Sequence, residues 1–171
     1  PYEQMEADDL VALDLSGQPL LKQQRRPSSE WRLHADVLSC RPEAMAVLHC
    51  HPIHATALAC HDRAIPAFHY MVAVAGGDEI RCAPYATFGT KELSDNVVKA
   101  LDGRCACLLA RHGMVTLGKD LDSALRVAVE VETLARMYLQ ALQLGEPPVL
   151  SKEQMHAVHA QFQGLHYGQA D

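Results

Sequence analysis

His49 and His51 stand one residue apart at the end of the apolar run Ala44-Met45-Ala46-Val47-Leu48. In an extended strand, residues i and i+2 share a face. Both imidazoles can therefore converge on one point, with Cys50 turned the other way. Neutral imidazole is a favoured ligand for zinc. A third histidine, His112, follows a second apolar run, Cys105 to Ala110, and precedes Gly113. Three histidine ligands leave a fourth coordination position open, the arrangement of a catalytic zinc rather than a closed structural one. Spacing alone also fits histidines that merely cap strand ends.

The elements that must position these side chains can be read from the pattern around them. Val11 to Leu15 reads as a strand, with Ser16-Gly17-Gln18-Pro19 as its turn. Gln23 to Pro27 is polar and reads as a loop. Ser28-Ser29 offers an N-cap for a helix from Glu30 to Cys40, which Arg41-Pro42 ends, because proline disfavours helical geometry in the residue before it. The strand bearing His49 and His51 follows, and Pro52 suits the start of a short helix, Ile53 to Ala59. Ala67 to Ala75 reads as an extended apolar segment closed by Gly76-Gly77.

Thr90 is placed to cap a helix whose apolar positions Leu93, Val97 and Leu101 follow helical spacing, with Asp102-Gly103 as its stop. Cys105 to Ala110 reads as a buried strand, and Met114 to Leu117 continues extended after Gly113. The longest helix runs from Leu121 to Leu144, with Leu121, Ala124, Leu125, Ala128, Val131, Ala135, Tyr138 and Leu142 on one face. Ser151 caps a last helix to Gly164, on which His156 and His159 read as surface residues. Strands alternating with helices favour a layered α/β domain.

Bulk properties narrow the function. A chain of 171 residues, 49% hydrophobic, suffices for one domain with a true core. A net charge of −6 with no basic stripe argues against nucleic acid as a partner. No apolar stretch is long enough to span a bilayer and no signal peptide is visible, so no membrane partner is expected. Six cysteines lie in apolar runs or at element ends without the spacing of a disulfide framework, which points to buried free thiols in a reducing, cytoplasmic compartment.

Several segments together resemble the class II aldolase/adducin family. They are Pro27-Ser28-Ser29-Glu30-Trp31-Arg32-Leu33-His34, His49-Cys50-His51 with Ala55-Thr56-Ala57, and Ile65-Pro66-Ala67-Phe68-His69-Tyr70-Met71. Ala83-Pro84-Tyr85-Ala86-Thr87-Phe88-Gly89-Thr90, Arg111-His112-Gly113-Met114 and Val129-Glu130-Val131-Glu132 complete the set. The match covers essentially the whole chain in one order. It implies a single domain over residues 1–171 with a three-layer α/β/α fold around a central, mostly antiparallel sheet. It also implies a homotetramer with active sites between neighbouring subunits. The family's N-terminal helix and glycine- and asparagine-rich phosphate loop are expected upstream of Pro1.

What the resemblance implies for chemistry is a zinc-dependent aldolase that reversibly cleaves a phosphorylated sugar, a ketose 1-phosphate, to dihydroxyacetone phosphate and an aldehyde. His49, His51 and His112 then hold one zinc ion per subunit. Glu30 is the acid/base carboxylate, Tyr70 the proton donor to the aldehyde oxygen from an adjacent subunit, and Ser28 and Ser29 bind the substrate phosphate at a helix N-terminus. Phe88, Phe162 and Tyr167 are expected to line the aldehyde pocket. The same fold hosts sugar-phosphate 4-epimerases and dehydratases, and Glu30 favours the aldolase because the epimerases carry aspartate there. Adducin-type assembly domains lose the metal histidines, whereas all three stand in this chain.

Overall fold

In a computed structural model of the chain, residues 2–22 and 25–164 are described. Four strands form one sheet in the order β1-β4-β3-β2: β1 is Ala46–Cys50, β2 Arg81–Ala83, β3 Ala106–Leu109 and β4 Gly113–Gly118. β4 lies antiparallel to both β1 and β3, and β2 joins β3 in parallel. The sheet is mixed and mostly antiparallel.

Side-chain alternation along the strands builds a core on each face. Ala106 and Leu108 of β3 and Met114 of β4 face α2 (Ile53–Ala59) and α4 (Leu121–Leu142), joining Ala55, Leu58, Ala128, Val131 and Leu134. Cys107, Leu109, Val115 and Leu117 face the opposite way, onto Leu33 and Val37 of α1 (Trp31–Cys40) and Leu93 and Val97 of α3 (Lys91–Ala100). Helices therefore cover both faces, and the α/β/α layering follows from the period-2 pattern of two adjacent strands. The last helix, α5 (Lys152–Gly164), closes a smaller cluster in which Met155 packs on Ala67 and Ala73.

Several expectations match these elements. Thr90 caps α3 by accepting from the Leu93 amide at 3.2 Å, Arg41 ends α1, and Pro52 precedes α2. Others need correction. Val11 to Leu15 is not a sheet strand: only Leu13 bridges to Pro19, and the carboxylate of Asp14 organises the turn by accepting from the amides of Ser16 and Gln18. Residues 67–75 are not extended: Tyr70–Ala75 is a 3-10 helix, which His69 caps with its Nδ1 and Gly76 ends at φ +88°. An unbroken apolar run carries no period to distinguish the two.

β2, three residues long, was not anticipated. On α4 the apolar face is narrower than the pattern suggests, because Leu121 (77%) and Leu125 (52%) are exposed. All six cysteines are free, but Cys40 and Cys60 are exposed rather than buried. Among the described residues, no helix is long and apolar enough to cross a membrane.

Candidate metal centre

Four side chains from three separate segments of the chain meet at the end of the β1–β4 pair. Glu30, His49, His51 and His112 each offer a ligand atom, and these atoms all lie within 4.8 Å of one another. The imidazole rings stand 4.8–4.9 Å apart, centroid to centroid. His49 sits inside β1, opposite Val115. His51 lies just beyond the strand end, yet its Nε2 is 3.0 Å from Nε2 of His49, as the shared-face argument requires. His112 is the last residue of the three-residue connection between β3 and β4, within the turn closed by its amide donating to the Leu109 carbonyl at 3.0 Å.

Glu30 corrects the helix start read from the sequence. α1 begins at Trp31, and Glu30 occupies the N-cap position without making a capping bond through its side chain. Its carboxylate turns to the histidines instead, with Oε2 2.9 Å from Nε2 of His49 and Oε1 3.4 Å from Nε2 of His112. Ser28 is the nearer structural support, since its Oγ accepts from the Glu30 amide at 3.2 Å. The Ser29 carbonyl oxygen comes so close to Gly89 that a Cβ there would stand 2.8 Å from it.

The hydrogen-bond chemistry of the four groups suits a cation. Nδ1 of His49 is 2.9 Å from the Met114 carbonyl, which can only accept, so Nδ1 carries the proton and Nε2 presents a lone pair. That lone pair faces a carboxylate oxygen, which when ionised can only accept, and Nε2 of His51. Oε1 of Glu30 is buried without a hydrogen-bond partner. Burial pushes the pKa of His51 and of His112 down from 6.5, which favours the neutral ligand form. A buried carboxylate and three converging imidazoles are a donor set suited to a divalent ion of the zinc class. The carbonyl of Met114 supplies the orienting hydrogen bond that metal-binding histidines usually make through their second nitrogen.

Close packing keeps the rings in place. A Cβ on Gly113 would lie 2.5 Å from the Cys50 carbonyl oxygen and 2.5 Å from Cδ2 of His51, so only glycine lets the two turns touch. Glu132 of α4 reaches across to the start of α2, accepting from the amides of His54 at 3.0 Å and Ala55 at 2.8 Å, and from Nδ1 of His54. That carboxylate anchors the backbone three residues after His51. Neither support was singled out from the sequence, although His112-Gly113 directly after a strand is a signal that a close approach is needed.

The remaining expected site residues lie outside this cluster. Tyr70 opens the 3-10 helix with its ring on His69, 4.8 Å away, and is 49% exposed; among the described residues it makes no hydrogen bond to the four-residue group. Phe88 is exposed on the loop before α3. Phe162 is partly buried and packs against the apolar clusters beside Met155. Tyr167 lies outside the described residues. His159 pairs with Asp78 at the surface, at 2.9 Å.

Comparison with known proteins points the same way. Residues 1–139 match the family described as class II aldolase and adducin N-terminal domain. The chain is 50% identical over 155 residues to a 5-methylthioribulose-1-phosphate/5-deoxyribulose-1-phosphate aldolase of Rhodospirillum rubrum, covering 91% of this chain and 69% of that protein. It is 47% identical over 163 residues to an L-fuculose phosphate aldolase of Escherichia coli K12, covering 95% and 75%. The fold superposes on a solved L-fuculose 1-phosphate aldolase with a TM-score of 0.90 and 41% identity, over 95% of this chain and 76% of that one.

Proposed function

We propose that this chain, which belongs to the class II aldolase and adducin family and is a class II aldolase, reversibly cleaves a ketose 1-phosphate to dihydroxyacetone phosphate and an aldehyde. The substrate is a sugar of the L-fuculose 1-phosphate type. The observation that carries this reading is the convergence of three imidazoles with a buried carboxylate oxygen that has no hydrogen-bond partner.

His49, His51 and His112 hold the metal in this reading, and zinc is the ion their chemistry suits. When bound, it supplies a Lewis acid that stabilises negative charge on the departing fragment. Glu30 moves the carbon-bound proton. In cleavage the bond between carbons 3 and 4 breaks, carbon 3 receives a proton from Glu30, and the hydroxyl proton on carbon 4 passes to Tyr70. In condensation the same residues act in reverse: Glu30 takes the carbon-bound proton and Tyr70 gives one to the aldehyde oxygen. Glu30 is nearly buried beside the histidines, its side chain 13% exposed.

Ser28 and Ser29 bind the substrate phosphate through hydroxyls and amides at the start of α1, where unpaired N–H groups suit an anion. Tyr70 acts from a neighbouring subunit of a homotetramer. Its exposure, together with the exposed apolar side chains Leu121, Leu125 and Val129 on α4, supports an intersubunit role. The chain forms one domain of a cytoplasmic enzyme.

A panel of L-fuculose 1-phosphate, 5-methylthioribulose 1-phosphate and 5-deoxyribulose 1-phosphate tests the reading, with dihydroxyacetone phosphate followed by NADH oxidation in the presence of glycerol-3-phosphate dehydrogenase. Release from at least one sugar, lost on chelation and restored by zinc, is expected. A zinc-loaded protein that releases the triose from none of the three contradicts the assignment. Consumption of a sugar without triose release points to epimerisation or dehydration instead.

A further inference from the structure

Among the described residues only two that are not glycine have a positive φ: Asp62 at +53° and Arg111 at +57°. Left-handed backbone is sterically costly for side chains with a Cβ. The two residues are 49 positions apart in sequence, yet they meet. Nη2 of Arg111 binds Oδ2 of Asp62, and the guanidinium also stands 5.7 Å from the ring centroid of Tyr85. Their backbones share an acceptor as well: the amides of Asp62 and Arg111 both donate to the carbonyl of Ala59, at 3.0 and 2.8 Å.

Ala59 is the last residue of α2, the helix that starts two residues after His51. Arg111 is the residue immediately before His112. The amide of Ala110 is held in turn by the Ala83 carbonyl at 3.0 Å. The connection between β3 and β4 is thus tied to α2 at one carbonyl, and the ion pair closes over that tie. An ion pair with side chains 56% and 47% exposed adds little to global stability. Its effect belongs at the turn it holds.

We propose that Asp62 and Arg111 are positioning residues for the metal centre: their ion pair, closed over the shared Ala59 carbonyl, keeps Arg111 left-handed and so delivers His112 to the cluster. The inference rests on His112 being a metal ligand, as in the function proposed above. It assigns no contact of either residue with substrate.

Zinc affinity, measured by competition with a chromophoric chelator on the whole chain, separates positioning from a merely structural role. Arg111→Ala should bind zinc about tenfold more weakly, the lower end of the range for residues that orient ligands. Arg111→Gly should recover to within about threefold of wild type, because glycine adopts positive φ without steric penalty. Asp62→Asn, which tolerates the left-handed region but loses the charge, should fall between them and serves if the alanine variant does not fold. Arg111→Lys should restore part of the loss. A surface ion pair of purely structural value predicts equal zinc affinity in all four variants, and that result overturns the proposal. Glycine binding as weakly as alanine overturns it too. His112→Ala is the separate control: if wild type and His112→Ala bind zinc alike, the ligand assignment itself fails, whatever the Arg111 variants do.

Discussion

Replacing Gly113 with alanine should dismantle the metal centre while leaving every candidate ligand residue in the sequence. The added Cβ would lie 2.5 Å from the Cys50 carbonyl oxygen and 2.5 Å from Cδ2 of His51. Both distances are about 1 Å inside ordinary van der Waals contact. Neither neighbour yields easily. Cys50 is paired to Met114 in the β1–β4 ladder, and His51 is packed against the other two imidazoles. Either the strands part or the His51 ring swings by a comparable amount.

Metal ligands tolerate roughly ±0.2 Å, so such a displacement should weaken zinc binding by about 100-fold, or roughly 2.7 kcal/mol. Overpacking should also cost the metal-free protein about 1–3 kcal/mol, lowering its melting temperature by roughly 2–12 °C for a chain of this length. Competition with a chromophoric chelator reads the first effect and calorimetry the second. Gly164→Ala is the control, because a Cβ there meets nothing within 4 Å. A Gly113→Ala protein with wild-type zinc affinity would refute the packing argument.

Glu30→Gln keeps the shape of the side chain but not its proton chemistry; dihydroxyacetone phosphate release should fall by about 10²–10⁴-fold with zinc still bound, and full activity in this variant would remove Glu30 from the reaction. Glu132→Ala strips the acceptor from two backbone amides and a ring nitrogen at the start of α2; the loss of a cap of this kind, about 1–2 kcal/mol, should lower the melting temperature by roughly 2–8 °C, and an unchanged melt would show that the cap is dispensable. For pH, burial holds the His51 and His112 pKa values below 6.5 in the folded chain, so the unfolded chain binds more protons just below that value. Stability of the metal-free protein should therefore be full above about 6.5 and decline as pH falls through the window beneath it; a melting temperature flat from pH 7.5 to 5, or one that rises on acidification, contradicts the shifts.

The histidine pair was legible because strand geometry has a strict period of two, and His49 and His51 share a face even though the strand ends at Cys50. Strands alternating with helices made a layered α/β domain legible, whereas the three-layer α/β/α arrangement was legible only through the family resemblance. Glu30 was visible only through its resemblance to a family motif. Its residue type and position equally suit a first-turn glutamate, and what distinguishes it is the cap bond it does not make. Long-range and conformational features left no local trace. Glu132 caps a helix 77 and 78 residues away, and the left-handed backbone at Arg111 is written in no residue type that favours it. The 3-10 helix at Tyr70–Ala75 departs from the extended expectation because an apolar run without alternation suits a buried strand and a buried turn of helix alike.

Cobalt(II) titration of the metal-free chain bears most directly on the idea that Glu30 and three histidines form a cation site. One ion per chain is predicted, with the intense visible absorption of a low-coordinate nitrogen and oxygen site, and with both stoichiometry and absorption lost in His49→Ala, His51→Ala and His112→Ala. Cobalt that binds with only the faint spectrum of the hydrated ion, or a stoichiometry indifferent to all three substitutions, would contradict it.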